Sequence, residues 1–213
     1  ASARAETTGA DEISSPNVLT MLDLGGIPLR ASKRTMADPL ILAGGPCAQN
    51  PESMAEFIDC FVTGDGEPSL PEICDLWLRL RNEAREHGGW LSGEAGRQQR
   101  DQALAELACR LPYAYVPRFY IPEYKDGRII ALNRSRSDVP ETIEPCVIRD
   151  LDGIALPTAP VVPYVECVHD RIAIEIMRGC PWQCRFCQST VIKRPLRIRS
   201  VETIINGALE SYR

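Results

Sequence analysis

The chain has 213 residues, a formal net charge of -5 and 44% hydrophobic residues, enough apolar material for one sizeable domain or two small ones. Its mixed, mildly acidic charge excludes a general attraction to nucleic acid, so such a partner would need a local basic patch. No run approaches the roughly 18 apolar residues of a membrane span, and the N-terminus lacks the apolar core of a secretory signal. We therefore expect a cytoplasmic protein without a membrane partner.

The first third of the chain predicts a strand, helix, strand unit. Residues 1–14 are small, polar and acidic, which indicates a disordered leader. A short helix is predicted to begin at Ser15, because serine followed by proline is typical of a helix start. Two compact apolar runs, residues 39–46 and 59–67, flank a short helical stretch. Each run ends in glycines and predicts a strand buried on both faces.

Two longer helices follow in the sequence. Ser69 and Glu72 form a capping-box pattern that predicts the start of the first helix, which carries one apolar stripe. The second is predicted from about Gln98 to Leu111 with its leucines facing inward. We assign residues 15–111 to a truncated Rossmann-like α/β domain.

The second half changes in character. Residues 112–165 are proline-rich, contain the hairpin signal "YKDGRIIAL", and predict a connector with short strands. The run "RIAIEIM" predicts a strand, and Ser200 predicts the cap of a last helix, so residues 166–213 read as one βα unit. One such unit cannot close a barrel of about 200 or more residues, so we expect the chain to be a fragment.

Three of the nine cysteines cluster, whereas the other six lie singly among apolar residues, as free cysteines do in a reducing compartment. A structural zinc site needs four ligands, and His87 and His169 do not have zinc-finger spacing. A redox pair needs only the "CRFC" segment and leaves Cys180 without a role. An iron-sulfur cluster held by Cys180, Cys184 and Cys187 would use all three thiols and leave one iron open to a small molecule.

Two glycine-containing loops follow the predicted buried strands. Glycines at the carboxyl ends of parallel strands let a ligand approach the backbone, and open α/β sheets bind ligands there. The alternative is that these loops are tight strand-to-helix turns. The candidate cofactor-binding residues are Gly44, Gly45, Gly64, Asp65, Gly66 and Glu67.

The CxxxCxxC spacing, with Phe186 before the last cysteine and a predicted strand before the loop, resembles the cluster loop of radical S-adenosylmethionine (SAM) enzymes. This resemblance implies that Cys180, Cys184 and Cys187 hold a 4Fe-4S cluster whose unique iron binds SAM, with Phe186 covering the adenine or the cluster. It implies reductive cleavage of SAM to a 5′-deoxyadenosyl radical that abstracts hydrogen from a substrate, and an electron donor such as flavodoxin or ferredoxin. It names no substrate and no further catalytic residue.

The order of "GGPCAQNPE" and "GDGE" resembles the cobalamin-binding-like domain that precedes the barrel in one branch of radical SAM enzymes. With "MLDLGGIPLR" and "KRPLRIRS", the chain is similar to a group labelled Fe-S oxidoreductases. The resemblance implies an α/β fold: a partial Rossmann-like domain plus the first βα unit of a radical SAM partial TIM barrel. Cobalamin is then a further candidate cofactor, although the cobalt-ligating DxHxxG motif is absent, and the fragment alone is expected to be inactive. The alternative function is a non-enzymatic zinc- or cluster-binding interaction module.

Two further patterns each allow two interpretations. A basic run follows the cysteines and is either a solvated face or a set of cations that offset the charge of a cluster or hold an acidic substrate. The aromatic stretch 113–124 either packs in an interdomain segment or stacks nucleic-acid bases. The basic residues are Lys193, Arg194, Arg197 and Arg199.

Overall fold

The computed structural model describes residues 6–8, 15–86, 91–159, 165, 171–182 and 184–212. The chain divides into two compact units, Ala1–Val147 and Ile148–Arg213. The domain bounds predicted from the sequence stay predictions.

A four-stranded sheet forms the centre of the first unit. Its strands are β1 (Glu6–Thr8), β2 (Ile41–Ala43), β3 (Cys60–Val62) and β4 (Ala114–Tyr115), in spatial order β1-β2-β3-β4. The pairs β1-β2 and β2-β3 are parallel, whereas β4 is antiparallel to β3. The two buried strands predicted from apolar runs are confirmed as β2 and β3. Strand β1 lies where the sequence predicted no element, and the rest of that leader is outside the described residues.

Three helices of the first unit follow the predicted apolar periodicity. They are α1 (Ser15–Leu24), α2 (Gly66–Glu86) and α3 (Gly93–Arg110). Short 3-10 helices occupy Ala31–Lys33, Pro46–Gln49, Pro51–Met54 and Pro117–Phe119. The predicted capping box is wrong, because α2 begins at Gly66 and Ser69 lies inside the helix. There the Ser69 hydroxyl donates a hydrogen bond to the Asp65 carbonyl at 2.7 Å, one turn back.

The core of the first unit lies between these helices and the sheet. The predicted inward positions of α2 and α3 are confirmed: Ile73, Trp77, Leu104, Leu107 and Ala108 are buried. Most of the aromatic stretch is also buried, namely Tyr113, Tyr115, Phe119 and Tyr120. These rings therefore pack in the protein interior and are not a surface for stacking bases.

A buried ion network connects the sheet to α3. The Asp59 carboxylate accepts hydrogen bonds from Arg34 at 2.9 Å and from Arg100 at 2.8 Å, and all three side chains are 0% exposed. The same oxygen, Oδ2, accepts the backbone N–H of Ile41 at 2.9 Å. Asp59 thus fixes the start of β2 and one face of α3 through a single carboxylate oxygen.

The predicted hairpin is confirmed as β5 (Tyr120–Lys125) and β6 (Arg128–Arg134). The turn residues Asp126 and Gly127 have φ of 50° and 74°. Positive φ at both positions is the geometry that Asp-Gly favours in a two-residue hairpin turn.

The second unit contains β7 (Met177–Arg178), α4 (Ser189–Ile192), β8 (Arg197–Ile198) and α5 (Val201–Tyr212). The strand predicted from "RIAIEIM" is wrong for residues 171–176, since only Met177 of that run is in a strand. Strand β7 pairs with β8 in antiparallel orientation, so this pair is not a parallel βα unit. The apolar pattern of one strand does not predict which strand it pairs with, because pairing depends on its neighbours in the sheet.

The capped helix at Ser200 is confirmed. The Thr203 N–H donates to Ser200 Oγ at 3.1 Å, which satisfies one of the open donors at the start of α5. The apolar pattern of the sequence predicts that Val201, Ile204, Ile205 and Ala208 share one side of this helix. Ile204 and Ala208 are half-buried, whereas Val201 and Ile205 are exposed and the buried residue is Gly207. Leu156 lies against Gly207, where an added Cβ would be 2.6 Å from Leu156 Cδ1.

The fold is therefore mixed α/β, as predicted, with small sheets. Its Rossmann-like and barrel assignments stay predictions. None of the described helices combines the length and apolar character needed to cross a membrane.

Candidate metal centre

The three clustered cysteines lie on a loop that begins after β7 and ends before β8. The two strands pair Met177 with Ile198 and Arg178 with Arg197, which brings the ends of the loop together. Gly179 has a φ of +96°, and an added Cβ would be 2.7 Å from the carbonyl oxygen of Lys193. The base of the loop is therefore closed by backbone contact, and glycine is required there for both conformation and space.

Two of the cysteines lie at the ends of one turn. The Cys187 N–H donates to the Cys184 carbonyl at 3.1 Å, and residues 185 and 186 form the turn between them. Thr190 then donates to the Cys187 carbonyl through its hydroxyl at 2.8 Å, which joins the turn to α4. Cys184 is exposed, whereas Cys180 and Cys187 are half-buried, and none of the three is in a disulfide.

The side chains of the three cysteines are not gathered into a metal-binding group. Within the described ranges, which omit Gln183 of this loop, no three His, Cys, Asp or Glu side chains are close enough to hold a metal. The chemistry of the donor set does fit an iron-sulfur cluster, because three free thiols lie within eight residues of one loop. Their joint ligation of a cluster stays a prediction.

The two aromatic side chains of the loop face solvent. Phe186 is 93% exposed and Trp182 is 72% exposed. Such exposure is unusual for large apolar rings, which bury 150–250 Å² each when they pack. The predicted role of Phe186 over the adenine or the cluster is not tested by this arrangement.

The basic run after the cysteines divides into two exposed and two buried residues. Lys193 and Arg194 are exposed, whereas Arg197 and Arg199 are buried. Arg199 donates to the carbonyls of Leu151 and Ile154 and, at 3.0 Å, to Glu175. The sequence suggested either a solvated face or cations for a cluster or an acidic substrate, and neither interpretation describes Arg197 and Arg199. Their guanidinium groups donate to main-chain carbonyls inside the second unit.

Glu175 connects Arg199 to the residue just before the loop. Its carboxylate accepts from Arg178 at 2.6 Å as well as from Arg199. The hydrogen bond from Arg178, and then that from Arg199, holds the pKa of Glu175 below its ordinary value, although partial burial acts in the opposite direction. The ionised carboxylate therefore ties β7 to β8 at the base of the loop.

The glycine loops of the first unit follow β2 and β3 as predicted. At the first loop, Gly45 has a φ of +85°, and an added Cβ would have no atom within 4 Å. At the second loop, Gly64 has a φ of +97°, and an added Cβ would be only 2.1 Å from the Cys146 carbonyl oxygen. The Asp65 N–H donates to that same oxygen at 2.7 Å, and the Cys146 N–H donates to Thr63 at 2.9 Å.

The close approach at Gly64 is thus made by the protein's own backbone. Two helix-start residues of the predicted set, Gly66 and Glu67, form the first turn of α2. Binding of a cofactor by Gly44, Gly45, Gly64, Asp65, Gly66 or Glu67 stays a prediction.

Cys146 lies beside this second loop, and the sequence analysis assigned it no role beyond that of the six single cysteines. Burial, followed by the charges of Asp65, Glu72 and Glu67, raises its pKa. A raised pKa disfavours the thiolate, which is the nucleophilic form. The environment of Cys146 therefore favours the protonated thiol.

A cavity of about 790 Å³ in the first unit was not predicted from the sequence. Its lining includes Arg30, Arg34, Arg97, Arg118 and Arg136. Each of these arginines has a carboxylate partner, respectively Glu56, Asp59, Glu94, Asp101 and Asp138. The cavity therefore presents paired charges and selects no single class of ligand.

The first half of the chain matches a known protein family. The family model described as "Radical SAM proteins, N-terminal" matches residues 8–117. The chain belongs to the radical SAM family. No curated protein and no solved structure matched it.

Radical SAM proteins generally bind a 4Fe-4S cluster and SAM, so both cofactors belong to the chemistry of the family. The matched segment contains both glycine loops and ends before the cysteine loop. It confirms the resemblance to radical SAM proteins, while the cluster ligands are argued from the cysteine loop itself. The match gives no support for cobalamin.

Proposed function

We propose that this radical SAM chain belongs to an iron-sulfur oxidoreductase whose cluster is held by Cys180, Cys184 and Cys187. The observation that carries the proposal is a loop with three free thiols, closed at its base by β7 and β8, in a chain of this family. When bound, the cluster supplies the electron and the open iron site for reductive cleavage of SAM to a 5′-deoxyadenosyl radical, which abstracts hydrogen from an unknown substrate.

The chain's own residues hold the loop in place for this role. The backbone contact at Gly179 and the Glu175 ion pairs fix both ends of the loop. The turn between Cys184 and Cys187 fixes the spacing of two donors, and Cys180 follows the fixed base directly. Two ligands are therefore preset relative to each other, and the loop between 180 and 184 must adjust to bring the third.

The exposed aromatic residues complete the proposed site. A reduced low-potential cluster must be shielded from water, and exposed rings at 182 and 186 offer apolar surface next to the thiols. Phe186 is proposed to cover the adenine or the cluster when SAM binds. A cytoplasmic location and a flavodoxin- or ferredoxin-type electron donor are part of the same proposal.

Anaerobic reconstitution with iron and sulfide tests the proposal. The chain is expected to take up about four irons and four sulfides, the content of a 4Fe-4S cluster. Serine at Cys180, Cys184 or Cys187 should lower the iron content strongly, whereas the control Cys109→Ser should not, because Cys109 is an exposed cysteine of the other unit.

Stoichiometric zinc without sulfide would contradict the proposal and favour the non-enzymatic binding module. An iron content that is equal in all four serine variants would show that the three cysteines are not the ligands.

A further inference from the structure

The turn between Cys184 and Cys187 keeps these two cysteines close to each other. The hydrogen bond from the Cys187 N–H to the Cys184 carbonyl at 3.1 Å spans four residues, as in a β-turn. Such a turn keeps its first and last Cα atoms within about 7 Å, and a disulfide joins Cα atoms about 4.4–6.8 Å apart. The limit that the turn sets on the Cα separation is thus close to the range that a disulfide spans.

The accessibility of the two thiols also suits stepwise oxidation. Cys184 is exposed and can meet a small disulfide in solution, whereas Cys187 is half-buried at the other end of the turn. Cys180 is half-buried and is separated from the turn by Pro181, whose ring restricts the backbone. Cys180 also follows Gly179, whose backbone is held against the Lys193 carbonyl.

We propose that Cys184 and Cys187 form a reversible disulfide in the cluster-free chain while Cys180 stays a thiol. The Cys184 thiolate attacks oxidised glutathione, the sulfur–sulfur bond of glutathione breaks, and one glutathione thiol leaves. Cys187 loses its proton and attacks the Cys184 sulfur of the mixed disulfide, which releases the second glutathione. Two protein thiols are oxidised by two electrons and one glutathione disulfide is reduced to two thiols.

The disulfide would make the loop a redox-controlled site for metal uptake. A disulfide sulfur does not ligate iron as a thiolate does, so the oxidised loop keeps only one of its three donors. This consequence rests on the proposed function, whereas disulfide formation itself does not. The two parts can therefore be tested separately.

Peptide mapping distinguishes the possible disulfides because Arg185 lies between the two cysteines. The complete cluster-free chain is incubated with oxidised glutathione, remaining thiols are blocked with N-ethylmaleimide, and the chain is cleaved with trypsin. Cleavage after Arg178, Arg185 and Lys193 gives one peptide with Cys180 and Cys184, residues 179–185, and a second with Cys187, residues 186–193. Mass spectrometry is expected to find the two peptides joined, with one blocked thiol in the first.

The variant Cys180→Ser separates the proposed bridge from one between Cys180 and Cys187. The joined peptides should persist in Cys180→Ser and be lost in Cys184→Ser, and dithiothreitol should release them. A bridge inside peptide 179–185, loss of the joined peptides in Cys180→Ser, or blocking of all three thiols would overturn the proposal.

Iron uptake by the same oxidised chain tests the consequence for the cluster. Oxidation should abolish iron incorporation, and dithiothreitol should restore it. If the reduced chain takes up no iron while the joined peptides form, the proposed function fails and the disulfide stands. If the reduced chain takes up iron and the peptides never join, the disulfide fails and the proposed function stands.

Discussion

Replacing Asp59 by alanine should destabilise the first unit more than any surface substitution. Asp59 Oδ2 accepts three hydrogen bonds, from Arg34, Arg100 and the Ile41 N–H, at 2.8–2.9 Å. Loss of the carboxylate leaves two guanidinium groups buried without a counter-charge. Removing one partner of a buried ion pair typically costs about 3–5 kcal/mol.

The remaining contacts of the two arginines place the expected cost at the lower end of that range. Arg34 also donates to the carbonyls of Pro28 and Leu29, and Arg100 to those of Thr35 and Pro39. These acceptors persist in the variant, so charge compensation is lost but most hydrogen bonds are kept. We therefore expect a loss of about 3 kcal/mol in the free energy of unfolding.

Urea unfolding followed by circular dichroism measures this loss. With a slope of about 1–3 kcal/mol/M, the midpoint should fall by about 1 M or more. Asp59→Asn keeps an acceptor oxygen without the charge and should lie between wild type and alanine. The control is Glu56→Ala, which removes the exposed partner of Arg30 and should cost less than about 1 kcal/mol. An effect of Asp59→Ala as small as that of Glu56→Ala would refute the reasoning.

Three further predictions concern the glycines and the loop base. Gly64→Ala should destabilise the first unit more than Gly45→Ala in urea unfolding, because both have positive φ but only the Cβ at 64 would meet the Cys146 backbone; equal losses would contradict the close approach. Gly179→Ala should lower the iron retained after reconstitution, because its Cβ would push the loop base apart; unchanged iron would show that the base does not position the ligands. Glu175 has a lowered pKa in the folded chain, so its stabilising contribution is present above its ordinary value of 4.5 and is lost as the pH falls through the lower folded value. In Glu175→Gln the free energy of unfolding should therefore fall less steeply as the pH drops below 4.5 than in the wild type. The same pH dependence in both proteins would contradict the ion pairs of Glu175 with Arg178 and Arg199.

Local sequence patterns predicted a turn and a helix cap whose hydrogen-bonding groups lie within a few residues of each other. The Asp126-Gly127 turn and the Ser200 cap depend on one or two residues, and both are confirmed. Helix α2 begins earlier than predicted, and Ser69 donates to the Asp65 carbonyl one turn back inside it. A capping pattern does not distinguish this alternative.

Features that depend on distant residues could not be predicted in the same way. Residues 171–176 alternate between polar or small and apolar side chains as a strand does, but the strand in the structure is only Met177–Arg178, which pairs with β8. Arg100 lies on the same helix face as Leu104 and Leu107, which placed an arginine among buried leucines. The sequence analysis assigned no role to Arg100. Its position among the leucines was the signal that could have indicated a buried ion partner, and Asp59 as that partner is evident only from the fold.

The candidate site shows the same division. The spacing of the three cysteines predicted them as cluster ligands, which stays a prediction, and the structure places two of them at the ends of one turn. The contacts of Gly179 and Glu175 that close the base of the loop depend on the pairing of β7 with β8. The residues before the loop do not predict this pairing, because β8 follows the loop in the sequence. The donors are therefore a prediction from the sequence, and the fold adds how the base of the loop that carries them is closed.

The most direct test of the central claim is the electron paramagnetic resonance spectrum of the reduced, reconstituted chain with and without SAM. We expect a 4Fe-4S signal that SAM shifts, because three cysteine ligands leave one iron free to bind it. A cluster signal that SAM leaves unchanged, or the absence of any iron signal, would contradict the assignment of Cys180, Cys184 and Cys187 as ligands of a SAM-binding cluster.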